Sequence, residues 1–162
     1  MRPTAAALHH GEKRLAGGLT AVAERHRADH EVHHVATDPA RWSGEHVRRL
    51  TDAAHAHGLD LSAGCSSGAP SAGVLPTLRE KAADAPAHRP EPGLLLLRDL
   101  REMHLDATSN SLHWEMLAQA AQATKDDGLL AAVSACHPQT WRRMRWANAV
   151  IKVLSPQVLT SL

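Results

Sequence analysis

The chain has 162 residues, long enough for one core to bury most of its surface and short enough to form one domain, residues 1–162. Its 18 Lys and Arg against 17 Asp and Glu leave a formal charge of +1, which excludes a global field that would recruit nucleic acid or an anionic membrane. With no Phe, no Tyr and 4 Trp, the core must come from Leu, Val, Ala and Met, a composition suited to closely packed helices rather than to a sheet.

Residues 5–36 carry a helical period. Leu8, Leu15, Leu19, Val22, His26, Asp29, His33 and Ala36 recur at steps of three, four or seven, and this spacing predicts one helix with a core-facing seam. Gly17–Gly18 weakens that helix by about 1 kcal/mol per Gly relative to Ala without ending it. The lower half of the seam exchanges Leu and Val for His26, Asp29 and His33, with His30 beside them. Residues 24–35 are therefore unusually dense in side chains of the metal-ligand type, while Glu24 and Glu31 point away from the seam.

Asp38–Pro39 reads as the N-cap and first residue of a second helix that reaches His57, with Gly58 as its stop. Trp42, Val47, Leu50, Ala53 and Ala54 form its apolar line, and His46 and His57 share that face. The short link predicts that the first two helices are antiparallel neighbours. Residues 59–93, with SAGCSSGAPSAG and APAHRPEPG, hold too few apolar residues for a core of their own and are expected to form a long crossover.

Leu94–Thr124 has no Gly or Pro and reads as an uninterrupted helix with two apolar edges. One edge is Leu96, Leu100, Met103, Ala107, Trp114, Ala118 and Ala121; the other is Leu94, Leu105, Leu112, Met116 and Ala123. Between them lies a polar stripe that includes His104, Thr108, Ser111, Glu115 and Gln122, expected to look into the bundle. After a turn at Lys125–Gly128, a last helix over 129–154 turns Leu129, Val133, Cys136, His137, Thr140, Met144, Ala147 and Ile151 inward. Pro138 predicts a kink or break, Ser155–Pro156 predicts the end, and Arg142, Arg143 and Arg145 read as a solvated basic face.

Two helices, a long crossover and two further helices resemble the ferritin-like superfamily over residues 5–154. In that family's di-iron pattern one helix of each pair brings a Glu and the other a Glu-x-x-His. Glu31-Val32-His33-His34 matches the second element literally, and Asp52-Ala53-Ala54-His55 is a relaxed version of it. The resemblance implies an all-α, antiparallel four-helix bundle with the crossover between the second and third helices, its last helix kinked near Pro138 by the proline itself.

The inward ligand-type set read from the periodicity is His26, Asp29, His30, His33, His46, His104, Glu115 and His137. Imidazole-rich, carboxylate-poor surroundings suit a transition metal, Fe or Zn first, better than Mg or Ca. The second expectation is a metal-free interaction or scaffold protein that forms oligomers or a complex. His30-Glu31-Val32-His33-His34 also matches the zincin pattern, but a chain without strand signals lacks that enzyme's cleft. No residue is designated catalytic, and no nucleic-acid or membrane partner is expected. Cys65 and Cys136 make neither a disulfide framework nor a CxxC knuckle, which together with the Ala, Arg and His bias fits a cytoplasmic bacterial protein.

Overall fold

The computed structural model describes residues 1–27, 30–61 and 91–161, with the backbone alone over 30–36. These residues form four helices and no strand: α1 (Arg2–Arg25), α2 (His30–Ala56), α3 (Pro92–Thr124) and α4 (Asp127–Leu159). None of them is long and apolar enough to cross a membrane. Most of the 59–93 stretch, with Cys65, lies outside the described residues.

α1 packs against α2 and α3, and α4 packs against the same two, so α1 and α4 stand at opposite corners. Facing pairs fall in reverse order along neighbouring helices. Leu8 clusters with Leu50 whereas Glu12 meets Ser43; Arg14 meets Asp106 whereas Arg25 meets Asp99. His57 meets Asp126, His46 meets Gln139 and Arg143 meets the Pro39 carbonyl.

Two apolar clusters fill the interior. The first joins Ala5, Leu8, Leu50, Ala54, Trp114, Leu117, Ala121, Leu129, Val133 and Cys136. The second joins Leu15, Leu19, Val22, Leu96, Leu100, Met103 and Ala107, with Met144, Trp146 and Ile151 against it. Each fully buried Leu contributes about 1.5–3 kcal/mol relative to exposure. Between the two clusters lies a polar layer.

The first connection differs from the sequence expectation. One helix over 5–36 was expected, with the next beginning at Asp38, but α1 ends at Arg25 and α2 begins at His30, passing through Pro39 without interruption. The register of the core decides this. Glu12 faces Ser43 and His46, so the chain has to leave α1 soon after Arg25, about midway between them, rather than near 38. Arg25 and His26 both bind Asp99 of α3, which anchors the end of α1.

Of the kink or break expected at Pro138, no break occurs, and the end expected at Pro156 is absent too, because α4 runs as one helix to Leu159. Pro138 sits on the exposed side, where the carbonyl it leaves unpaired, that of exposed Ser134, can bond to water. Beyond Pro156, Val158 packs so closely on Gly93 that an added Cβ there would lie 2.8 Å from its Cγ2.

α2 closes as expected at Gly58. The Leu59 N–H donates to the Ala54 carbonyl and the Gly58 N–H to the His55 carbonyl, with Gly58 at φ 66°. α3 closes the same way through Asp126 to Ala121 and Lys125 to Gln122, but the left-handed residue is Lys125 at φ 54°. Asp126 then caps α4, its Oδ1 accepting from the Leu129 N–H at 3.0 Å.

Lys125→Gly is therefore expected to stabilise the protein by about 0.5–1 kcal/mol, and Gly58→Ala to destabilise it by about 1–2 kcal/mol. Urea midpoints at unchanged slope read both, and a lower midpoint for Lys125→Gly would contradict the strain assigned to that residue.

Candidate functional site

The polar layer is centred on Glu12, which is fully buried on α1 between Leu8 and Leu15. Its position follows the core period: it stands four residues after Leu8 and three before Leu15. All three other helices reach it. From α2, the Ser43 hydroxyl donates to Oε2 at 2.8 Å, and His46 Nδ1 lies 3.2 Å from the same oxygen. From α3, Asn110 Nδ2 donates to Oε1 at 3.2 Å and Trp114 Nε1 at 3.4 Å. From α4, Arg143 places Nη1 3.6 Å from Oε2.

These partners are themselves held. His46 Nε2 donates to Gln139 Oε1 at 2.9 Å, and the imidazole stands edge-on to Trp114 with ring centres 5.6 Å apart. Arg143 Nη2 donates to the Pro39 carbonyl at 3.1 Å. Asn110 rests so closely on Gly11 that a Cβ there would come within 2.1 Å of its Oδ1. Four buried side-chain atoms of this layer have no aligned hydrogen-bond partner among the described residues: His46 Nδ1, Thr140 Oγ1, and Nε and Nη1 of Arg143. Arg143 Nη1 is held on Glu12 by charge rather than by hydrogen-bond geometry, and His46 Nδ1 lies against the same oxygen without hydrogen-bond alignment.

Burial by itself pushes the Glu12 carboxyl up. The nearby His46 imidazole, then the Arg143 guanidinium and the Ser43 hydroxyl, more than offset it, and the group lies below its ordinary value. Burial also draws Arg143 downward, with Glu12 opposing. Cys136, in the apolar cluster next to this layer, is pushed up to about 12, chiefly by burial, which makes an unreactive thiol.

The structure disperses the other expected ligands. His26 Nε2 donates to Asp99 at 3.0 Å beside Arg25, at the far end of α1. His104 Nδ1 donates to the Met144 carbonyl at 3.1 Å. His137 is bonded to Ser111 Oγ through Nε2 at 2.8 Å and leans on Trp141, which also donates to Ser111. Burial lowers the His137 value, with the Glu115 charge opposing.

Glu115, expected to point inward, is exposed, and so is His57, which pairs at the surface with Asp126. Asp29 and the side chains of His30 and His33 lie outside the described residues. Among the described residues, no three His, Cys, Asp or Glu side chains form a group that could hold a metal ion. Of the expected set, His46 alone among the described residues reaches the central layer.

Glu12, Ser43, Asn110 and Arg143 were not expected there. Their signal is positional: each falls on the core line of its helix, where a polar residue interrupts an apolar series. Arg143, read as part of a solvated basic face, is buried at 2 % exposure while Arg142 and Arg145 remain outside.

Because the Glu12 value is depressed, its stabilisation is complete above the unfolded value of 4.5 and is lost as pH falls through the lower folded value. His137 contributes in the same direction, from 6.5 downward, since the folded protein resists its protonation. Glu12→Gln is expected to cost about 3–5 kcal/mol at neutral pH and to flatten the acid limb of stability below 4.5. Urea titrations from pH 7 to pH 3 test this, and a parallel acid limb in the variant would refute it.

Gly11→Ala is expected to displace Asn110 and cost about 1–3 kcal/mol, whereas Gly17→Ala, with nothing within 4 Å of the added methyl, should gain about 1 kcal/mol. Thermal melts of the two variants check the contrast.

No family model matches the chain, and no curated protein or solved structure matches it significantly.

Proposed function

We propose that the chain is an antiparallel, ferritin-like four-helix bundle with one long crossover, residues 59–93, and that it works as a metal-free interaction protein, pairing with a second copy through the outer face of α3. The reverse order of facing pairs supports the antiparallel arrangement. The interior supports a structural role, because Glu12 already faces the Arg143 cation and accepts from three neutral donors. A metal ion there would have to displace a buried guanidinium.

The observation that carries the reading is the outward row of α3. At ~100° per residue, Leu105, Leu112 and Met116 lie about 160° from the buried line of Leu100, Ala107 and Trp114. They are 49 %, 57 % and 56 % exposed. Contiguous apolar surface of this kind marks contact sites. Charge selects the occupant: Arg98 and Arg101 precede the row and Glu115 lies beside its later half, all exposed. Two copies of α3 crossing in opposite directions near Thr108 bring Arg101 of one against Glu115 of the other. Trp141, 46 % exposed and bonded to Ser111, adds apolar surface on the α4 side. The buried, unreactive Cys136 suits the cytoplasm.

Light scattering and sedimentation on tag-free protein should show a dimer that dissociates on dilution. Leu112→Glu is expected to weaken it at least about tenfold, or ~1.4 kcal/mol, without lowering the melting temperature of the monomer. A strict monomer, or a dimer indifferent to Leu112→Glu, would overturn the pairing. Elemental analysis of the same sample separates the transition-metal reading, which requires near-stoichiometric Fe or Zn.

A further inference from the structure

Bundles that hold metal ions between their helices can project a carboxylate from each of two helices and a Glu-x-x-His pair from each of the other two. The polar layer has the same distribution with most residue types changed. α1 supplies Glu12 and α3 supplies Asn110. α2 supplies Ser43 and His46, three residues apart, and α4 supplies Thr140 and Arg143, also three apart. All six are buried. Glu12 and His46 keep ligand chemistry, Ser43, Asn110 and Thr140 are neutral, and Arg143 carries a positive charge.

We infer that the Arg143 guanidinium stands where such a bundle carries its metal ion, so that removing this side chain turns the Glu12–His46 pair into a site for a divalent transition cation.

The manner in which Arg143 is held supports this. Guanidinium has five donors in a rigid fork, and sites that select Arg for its shape satisfy several of them. Here one aligned hydrogen bond, to the Pro39 carbonyl, is made, while Nε and Nη1 have no aligned partner. Arg143 therefore acts on Glu12 mainly as a buried positive charge.

The surroundings suit a metal ligand as well. Ser43 and Asn110 hold one oxygen each of the carboxylate, and Gln139 fixes the imidazole through Nε2, leaving Nδ1 directed at Glu12. Such outer contacts orient ligands in metal sites. A carboxylate with an imidazole selects Zn(II) or Co(II) over Mg(II) or Ca(II).

The inference rests on the metal-free reading of the native chain, and the experiment separates the two. Arg143→Ala, wild type and Arg143→Ala/His46→Ala are melted with increasing Co(II) or Zn(II), and Co(II) visible absorption is recorded in parallel. Arg143→Ala should gain roughly 5–10 °C at a cation concentration about a hundredfold above Kd, with ligand-field bands. Wild type and the double variant should gain neither.

A folded Arg143→Ala protein that shows no greater shift than the double variant would overturn the inference. Wild type showing the full shift and bands would instead overturn the metal-free reading. If Arg143→Ala does not fold alone, recovery of a cooperative melt with Co(II) or Zn(II) supports the inference, and recovery with methylguanidinium only, or with none of the three, refutes it.

Discussion

The contact on which the bundle depends is the buried approach of Arg143 to Glu12. Taking two charges out of water costs several kcal/mol per ion, and their attraction repays this only when further polar contacts complete the shell. Here the shell is distributed over every helix. Ser43 and His46 approach from α2, Asn110 and Trp114 from α3, and Arg143 from α4. An apolar core tolerates a slipped helix at modest cost, whereas a slip of one turn here would leave a carboxylate or a guanidinium buried and unpaired. The layer therefore sets the register of α1 against all three other helices.

The rest of the architecture follows from that register. Matching Glu12 to Ser43 and His46 places the first turn between Arg25 and His30, and Pro39 becomes an interior residue of α2. There its carbonyl accepts from Arg143, so a proline that reads locally as a helix start contributes to the core. Pro138 illustrates the opposite case. It faces solvent, where the carbonyl it leaves unpaired is open to water, and α4 continues through it.

A self-compensated interior moves the question of function to the surface. α3 bears two apolar rows on opposite sides, and a helix at the corner of a bundle buries one of them against its neighbours α1 and α4. The row ending in Trp114 and Ala121 is buried, leaving Leu105, Leu112 and Met116 in water. That exposed row is the surface on which the proposed pairing rests.

Composition and periodicity by themselves determined that the chain is helical. A chain without Phe and Tyr, with Leu and Ala at helical spacing, has no better way to bury itself, and Leu94–Thr124 and the stops at Gly58 and Lys125 are local properties of the backbone. His46 was legible as an inward residue because it shares a face with Leu50. The tertiary structure alone decided the rest. A period states which residues share a face but not which face meets a neighbour, so Glu115 was assigned inward and is exposed, while Arg143 was assigned outward and is buried. Nor does a period register that Glu12, the one charged residue in the seam of α1, belongs there: a buried carboxylate is stable only beside its partners, and those are supplied by helices 31 to 131 residues farther along the chain.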